Sequence, residues 1–222
     1  SGPMTGSNGR HPMPDAGRLA ARLGEIGVGS RTQVVVYDDA QGMIAGRLWL
    51  LLRWVGHDRV ALLDGGLQVW QAAGKPLTQA LPALRPATFV ARQDDCVVDT
   101  AYVQSFLATS RMHLVDARSA DRFRGENETL DPVGGHIPGA VNRFFRDNLQ
   151  ADGCFKSPAE LRAEWLAVLA GSSPEQVVHL CGSGVSACLA MLAMEIAGLP
   201  GSRLYAGSWS EWCADRGRPV TK

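Results

Sequence analysis

The sequence predicts an α/β protein with two domains, each a mostly parallel sheet flanked by helices, and with the first domain incomplete. Two observations support this. Short apolar runs alternate with helical stretches along most of the 222 residues. The alternation also occurs twice, and its two copies end alike, on Gly74-Lys-Pro76 and on Gly217-Arg-Pro219. Strands joined by crossover helices run parallel, because each helix returns the chain to the end of the sheet where it started.

The first copy has fewer elements than the second. It contains apolar strands at residues 34–39 and 59–66, with an apolar helical stretch between them and Trp70 on a following helix. A further helix is expected at about residues 14–23. Residues 1–14 are rich in Gly, Pro, Ser and Asn and lack periodicity, which predicts a flexible loop.

The second copy repeats these elements at residues 177–182 and 203–208, followed by Trp212. Before them lie a strand at residues 113–118 and the loop Gly135-His-Ile-Pro-Gly-Ala140, neither of which has a counterpart in the first copy. We therefore expect that about half of the first domain is absent from this sequence and that the natural protein is longer.

The repeat also sets the expected boundaries. The first domain is assigned to residues 1–78, a linker with two prolines to residues 79–98, and the second domain to residues 99–222. A helix is expected to begin after Ser157, because Ser157, Pro158 and Glu160 form the pattern of a capping box with proline at the first helical position.

The composition is that of an ordinary globular protein, with 45% hydrophobic residues, 20% charged residues and a net charge of zero. A neutral chain predicts neither a nucleic-acid groove nor a membrane-attracting surface. The longest apolar stretch, residues 48–55, contains Arg53 and is too short to span a bilayer. An odd number of cysteines favours reduced thiols and a cytoplasmic location. These are Cys96, Cys154, Cys181, Cys188 and Cys213.

Cys181 is the candidate nucleophile. The apolar strand before it delivers Cys181 to the carboxyl end of a parallel sheet, where ligands of α/β proteins bind. The sequence Gly182-Ser-Gly-Val-Ser-Ala187 then turns into a helix. Its glycines allow successive backbone N–H groups to form an anion-binding nest at the positive end of that helix, which favours a reactive thiolate. The alternative, a small buried apolar side chain, is the interpretation we assign to the other four cysteines.

The segment Cys181-Gly-Ser-Gly-Val-Ser-Ala187 resembles the active-site loop of the rhodanese superfamily. It is especially similar to the Cys-Gly-Ser-Gly-Val-Thr-Ala loop of its tandem-domain 3-mercaptopyruvate sulfurtransferases. Three further motifs carry the resemblance across the second domain, and the first domain matches from about residue 10. The three are Val115-Asp-Ala-Arg118, Gly135-His-Ile-Pro-Gly-Ala140 and Gly207-Ser-Trp-Ser-Glu-Trp212.

The resemblance implies a sulfurtransferase. Cys181 would take a sulfane sulfur from thiosulfate or 3-mercaptopyruvate as a persulfide and pass it to a thiophilic acceptor such as cyanide, a thiol or a protein. No cofactor is expected, and no metal is expected because His57 and His113 show no ligand spacing with any Cys or His. The residues expected to bind the anionic donor are Arg122, Gly182, Ser183, Gly184, Val185 and Ser186. Two alternatives are a persulfide carrier without turnover and a protein-interaction module.

The sequence departs from the family pattern in two places. Ser186 replaces the usual threonine, which keeps the hydroxyl. The second donor-binding arginine of mercaptopyruvate-type enzymes is missing from residues 125–132, so both donors stay open. Arg124 is either a donor-binding residue or a surface charge. A His and an Asp that assist Ser183 in the family are expected in the absent segment, and the oligomeric state is left open.

Two further residues, Asp38 and His136, are interpreted as structural. Asp38 stands where the second copy has Cys181, so the first domain is expected to be catalytically silent, with Asp38 forming the turn. His136 is expected to bind backbone rather than act as a base.

No arginine or lysine follows Cys181 within its loop, which argues against a cysteine phosphatase because phosphate would lack a bidentate partner.

Overall fold

The computed structural model describes residues 1–107, 109 and 111–222. Helices and strands alternate as the sequence predicts, and all paired strands run parallel. The helices are α1 (Ala16–Glu25), α2 (Ala45–Trp54), α3 (Gly66–Ala72), α4 (Thr100–Phe106), α5 (Ala120–Phe123), α6 (Pro158–Leu169), α7 (Ala187–Ile196) and α8 (Ser208–Trp212). The strands are β1 (Val34–Val36), β2 (Val60–Leu62), β3 (Val97–Val98), β4 (His113–Asp116), β5 (Val141–Asn142), β6 (Val177–Leu180) and β7 (Arg203–Tyr205).

The strands form two sheets. β1 and β2 make a two-stranded sheet, and the other five strands make a sheet of order β3-β7-β6-β4-β5. β6 is the middle strand, and all four of its residues are buried. A strand that is buried on both faces of its sheet has a nearly continuous run of apolar residues, and β6 has such a sequence. The α/β class is confirmed, and the central strand leads directly to Cys181.

A shared apolar core joins the two sheets. Trp49 and Leu52 of α2 belong to the same buried cluster as Leu189 and Met194 of α7. The two helices approach closely at Gly46, where an added Cβ would lie 3.3 Å from the backbone nitrogen of Leu189. Apolar burial of this kind is the main favourable term in folding, so the two sheets support each other.

The predicted linker is partly built into the fold. Val97 and Val98, at its expected end, form β3 and pair with Leu204 and Tyr205 of β7. Earlier in the segment, the Ala87 N–H donates to the Gly24 carbonyl of α1 at 2.9 Å. Residues 79–98 therefore contact α1 and pair with β7, and the domain boundaries stay a prediction.

The starts of α6 and α1 lie at or near the positions that the sequence predicts. The expected capping box at Ser157 and Glu160 is present at the start of α6. Asp15 caps α1 by accepting from the Arg18 N–H, so this helix begins two residues later than expected. Among the described residues, no helix is long and apolar enough to cross a membrane.

Candidate active site

Cys181 lies immediately after β6 and is 2% exposed. Its backbone N–H donates to Ser208 Oγ at 3.2 Å, and its carbonyl accepts from the Trp209 N–H at 3.0 Å. These bonds tie the strand end to the start of α8. The thiol is therefore held on rigid elements rather than on a free loop.

The loop after Cys181 offers a row of backbone donors. The N–H groups of Gly182, Ser183, Gly184, Val185 and Ser186 donate to no acceptor among the described residues. The loop leads directly into α7, whose N-terminus adds a positive dipole end. Free N–H groups in succession bind anions, so the loop can hold a thiolate, a persulfide or an anionic donor.

Gly184 is required by the loop geometry. Its φ is +75°, and an added Cβ would collide with the carbonyl oxygen of Ala206. We expect Gly184→Ala to destabilise the fold by about 3 kcal/mol, because left-handed backbone strain and a backbone clash add together. Urea unfolding would measure the loss.

Gly139→Ala is the matched control. Gly139 has a nearly identical φ of +79°, but nothing lies within 4 Å of its added Cβ. This variant should lose only the strain energy, about 1 kcal/mol. Equal losses in the two variants would show that the contact with Ala206 plays no part.

A histidine that sequence reasoning missed reaches the loop. His11 Nδ1 lies 2.8 Å from Ser183 Oγ, so the expectation that Ser183 has no histidine partner in this chain is wrong. Burial, followed by the charges of Arg10 and Arg47, lowers the pKa of His11. His11 is therefore neutral at neutral pH and can accept a proton.

Arg47 of α2 contacts both the loop after Cys181 and the backbone of His11. Its side chain is buried, with Nη1 donating to the Gly184 carbonyl at 2.9 Å and Nη2 donating to the His11 carbonyl at 3.1 Å. One guanidinium thus fixes both the loop and the backbone of His11. Residues 1–14 form no helix or strand, yet they are bound to the site instead of forming a separate loop.

Arg122 is placed at the loop, as the resemblance implied. An ideal Cβ on Gly182 would lie 3.4 Å from Arg122 Nη2 and 3.5 Å from Nη1. Nε and Nη2 donate to the carboxylate of Glu128, which is almost fully buried. Burial alone would raise the pKa of Glu128, but the hydrogen bond from Arg122 and the charges of Arg122 and Arg118 hold it below its usual value.

Arg10 approaches the same point from the N-terminal segment. Its Nη2 lies 2.9 Å from the ideal Cβ of Gly182, and its Nη1 donates to the buried carboxylate of Asp131. No local pattern marks this contact, because Arg10 and Asp131 are 121 residues apart.

The remaining candidates lie outside the site. Arg124 forms an exposed ion pair with Glu126, which identifies it as a surface charge. His136 Nδ1 contacts the Phe123 carbonyl at 2.9 Å, which matches the backbone role expected for this histidine.

Asp38 binds the backbone of the loop that follows β1. Its carboxylate accepts four backbone N–H groups at 2.7 to 2.9 Å, from Ala40, Gly42, Ile44 and Ala45. Burial alone would raise the pKa of Asp38, but these bonds lower it below its usual value. A carboxylate of the chain itself thus fills the anion-binding turn, as the structural interpretation expected.

All five cysteines are free. Burial raises the pKa of Cys188 to about 12 and, with the nearby charge of Asp94, that of Cys96 to about 12. Burial also raises the pKa of Cys154 and of Cys213. These four thiols stay protonated at neutral pH, as expected for structural cysteines.

Fold and site together define a class of protein, in which the central strand of a parallel sheet presents a cysteine to an anion-binding loop. The rhodanese-like domain family matches residues 6–73 and 99–215. The chain belongs to this family, among relatives that are sulfurtransferases.

Three curated relatives are similar over most of the chain. A probable 3-mercaptopyruvate sulfurtransferase of Pseudomonas aeruginosa is 48% identical over 97% of this chain and 76% of its own length. The human 3-mercaptopyruvate sulfurtransferase is 40% identical over 94% of this chain and 71% of its own length. Mouse thiosulfate sulfurtransferase is 37% identical over 90% of this chain and 69% of its own length.

One solved structure supports the fold alone. The anaerobic ergothioneine biosynthesis enzyme of Chlorobium limicola matches with a TM-score of 0.83 and 23% identity. The match covers 98% of this chain and 57% of that chain. The present chain thus spans somewhat more than half of that enzyme.

Proposed function

We propose that this chain transfers sulfur from a small anionic donor to a thiophilic acceptor through a persulfide on Cys181. One observation carries this proposal: Cys181 is held at the end of the central strand, beside five free backbone N–H groups and the guanidinium of Arg122. The names of the relatives support 3-mercaptopyruvate and thiosulfate as donors. Cyanide, thiols and protein thiols are the proposed acceptors.

The first half-reaction forms the persulfide. The Cys181 thiolate attacks the sulfane sulfur of thiosulfate, the S–S bond of the donor breaks, and sulfite leaves with the electron pair. With 3-mercaptopyruvate the C–S bond breaks instead, and the enolate of pyruvate leaves. That enolate must gain a proton, which comes from the donor thiol. In both cases the enzyme holds a persulfide anion, which the loop N–H groups of residues 182–186 stabilise.

The second half-reaction restores the thiolate. Cyanide attacks the outer sulfur of the persulfide, the S–S bond breaks, and thiocyanate leaves while Cys181 regains its negative charge. No proton is needed in this step. The loop therefore stabilises one negative charge on Cys181 at every stage, either as the thiolate or as the persulfide.

The pair of His11 and Ser183 is proposed to carry the proton that only 3-mercaptopyruvate requires. His11 is neutral and lies 2.8 Å from the Ser183 hydroxyl. The Ser183 hydroxyl can accept the proton of the donor thiol while it donates its own proton to His11. In the reverse transfer, His11 returns a proton to Ser183, and Ser183 donates one to the enolate.

We expect His11→Asn to lower kcat with 3-mercaptopyruvate about 100-fold, because asparagine keeps a hydrogen bond to Ser183 but cannot take up a proton. Turnover of thiosulfate should change by less than about threefold, since that reaction moves no proton. Steady-state rates with the two donors measure the difference. An equal loss with both donors would contradict the proton role and indicate loop positioning.

A second candidate function is a persulfide carrier that does not turn over small donors. Cys181 is 2% exposed, which weighs against this alternative, because a protein thiol reaches a buried cysteine less easily than a small anion does. The free state of all five cysteines supports the proposal of a reducing, cytoplasmic setting.

The proposed function is tested by mass spectrometry of the chain after exposure to each donor. The result expected is a gain of one sulfur atom on the peptide that contains Cys181, lost on adding cyanide as thiocyanate forms. Repeated turnover identifies an enzyme, and a single turnover identifies a carrier. A chain that never gains sulfur at Cys181 would overturn both functions.

A further inference from the structure

The donor site holds two guanidinium groups, and one of them comes from the N-terminal segment. We propose that Arg10 is a second anion-binding residue, which grips the charged group of the sulfur donor together with Arg122. This inference rests on the proposed function and deepens it. The ligand chemistry is a small anion, either the carboxylate of a mercapto acid or the sulfonate-like group of thiosulfate.

The hydrogen bonds of the two arginines leave nitrogens free at the same place. Nη2 of Arg10 and Nη1 of Arg122 donate to no acceptor among the described residues. They lie 2.9 Å and 3.5 Å from the ideal Cβ position of Gly182, the residue that follows Cys181. Two free donors thus converge on one point beside Gly182. An oxyanion there would accept charge-assisted hydrogen bonds from both.

The other nitrogens of these side chains are occupied by carboxylates that hold them in position. Glu128 accepts from Nε and Nη2 of Arg122, and Asp131 accepts from Nη1 of Arg10. Both carboxyl groups are almost fully buried, with exposed fractions of 2% and 4%. Each arginine is thus fixed on one side and open on the other, which reduces the entropy lost when an anion binds.

The backbone around Arg10 is fixed as well. The Arg10 N–H donates to Ser210 Oγ at 3.1 Å, while the next residue, His11, contacts Ser183 and Arg47. The direction of the Arg10 side chain therefore depends on contacts made on both sides of its Cα.

The electrostatics of the site also favour an anion at this point. Burial, and then the nearby charge of Arg122, lower the pKa of Arg10, while the charges of Glu128 and Cys181 act in the opposite direction. Two like charges that face one point repel each other, and an anion bound between them relieves that repulsion. Gly182 suits this arrangement, because any side chain there would occupy the same space.

Arg10 has access to solvent through a neighbouring cavity. It lines a cavity of about 640 Å³ together with Leu130, Asp131, Ser210 and Cys213. The Arg10 side chain is 30% exposed, against 20% for Arg122. The Arg10 side chain is therefore accessible to solvent.

The alternative role for Arg10 is a structural ion pair with Asp131, and two variants distinguish the roles. If Arg10 binds the donor, Arg10→Met should raise the KM about tenfold, equivalent to about 1.4 kcal/mol, and lower kcat by less than about threefold. Arg10→Lys should restore part of the affinity. Asp131→Asn keeps the acceptor oxygen for Arg10 Nη1 and removes only its charge, so it should raise the KM much less than Arg10→Met does. If the ion pair is only structural, Arg10→Met and Asp131→Asn should raise the KM alike.

Both donors are measured, because the carboxylate and the sulfonate-like group are two sources of the same chemistry. A KM change confined to 3-mercaptopyruvate assigns Arg10 to the carboxylate, and one confined to thiosulfate assigns it to the sulfonate-like group. Arg124→Met is the matched control, since Arg124 is an exposed arginine whose ion pair, among the residues that the structure describes, is with Glu126. Its KM values should equal those of the wild type. Unchanged KM values for both donors in Arg10→Met would overturn the inference.

A binding measurement keeps this inference separate from the proposed function. Pyruvate and inorganic sulfate cannot donate sulfur, yet each carries one of the two anionic groups. One or both should protect Cys181 from alkylation by iodoacetamide in the wild type, and Arg10→Met should need about tenfold more anion for the same protection. If the wild type transfers no sulfur but this shift is seen, the proposed function fails and the anion site stands. If neither anion protects, or protection is the same in both proteins, Arg10 binds no anion here.

Discussion

Replacing Cys181 with serine is expected to abolish sulfur transfer, with turnover at least about 1000-fold below that of the wild type. A serine hydroxyl is not ionised at neutral pH and cannot form a persulfide, so neither half-reaction has its nucleophile. The fold should persist, because the change is one atom and the backbone bonds to Ser208 and Trp209 do not involve the thiol. Thiocyanate formation from cyanide, with thiosulfate and with 3-mercaptopyruvate, measures the loss.

Cys188→Ser is the matched control for this prediction. Cys188 is equally buried, lies on the adjacent helix α7, and directs its thiol to the Gly184 carbonyl at 3.3 Å. A serine hydroxyl can make the same bond, so most of the activity should remain. If Cys188→Ser were the inactive variant and Cys181→Ser remained active, the nucleophile would be misassigned.

The part of the site that the sequence predicts is the part built from local signals. β6, the glycine-containing loop and α7 follow each other directly, and each has a short-range cause: apolar residues, positive-φ glycine and an apolar helical pattern. The capping box at Ser157 is equally local, and it was predicted correctly. Cys181 was proposed for this reason, whereas Arg122 was proposed from the family resemblance, and the roles of both stay predictions.

The missed residues act over long sequence separations. His11 contacts Ser183 from 172 residues away, and Arg47 reaches Gly184 from 137 residues away. Nothing in the composition of residues 1–14 marks them as part of a site, because Gly and Pro are typical both of flexible loops and of fixed ones. Arg47 lies within an apolar helix, where periodicity alone does not show what a charged side chain contacts.

β3 was missed for a different reason. It contains two residues and lies between Asp95 and Asp99, so no alternation of apolar and polar residues marks it. Its place is determined by β7, which supplies the hydrogen-bonding edge. Such a strand depends on tertiary context rather than on propensity.

His179 is expected to make the fold sensitive to mild acid. It lies in β6 with no exposed surface, and its ring contacts Trp165 edge-on at 5.5 Å and Met194 Sδ at 3.2 Å. Burial, followed by the charge of His113, lowers the pKa of His179 to about 3. In the unfolded chain its pKa returns to about 6.5. The stability from neutral His179 is thus fully present above pH 6.5 and is lost as the pH falls toward 3.

The slope of that loss reaches about 1.4 kcal/mol per pH unit, so the free energy of unfolding should fall by about 2 kcal/mol between pH 7 and pH 5. Urea unfolding across this range measures it. His179→Leu should remove most of this pH dependence. His11 and His113, whose pKa values are also lowered by burial, leave a smaller residual dependence. Most carboxyl groups titrate below this window, which keeps the comparison specific to histidine.

Met194→Leu is the control for repacking around His179, because it removes the sulfur contact but keeps the ring in its buried position. This variant should lose some stability at every pH and retain the wild-type slope between pH 7 and pH 5. An equal slope in His179→Leu and in the wild type would contradict the assignment, since it would mean that the proton taken up on unfolding goes to another group.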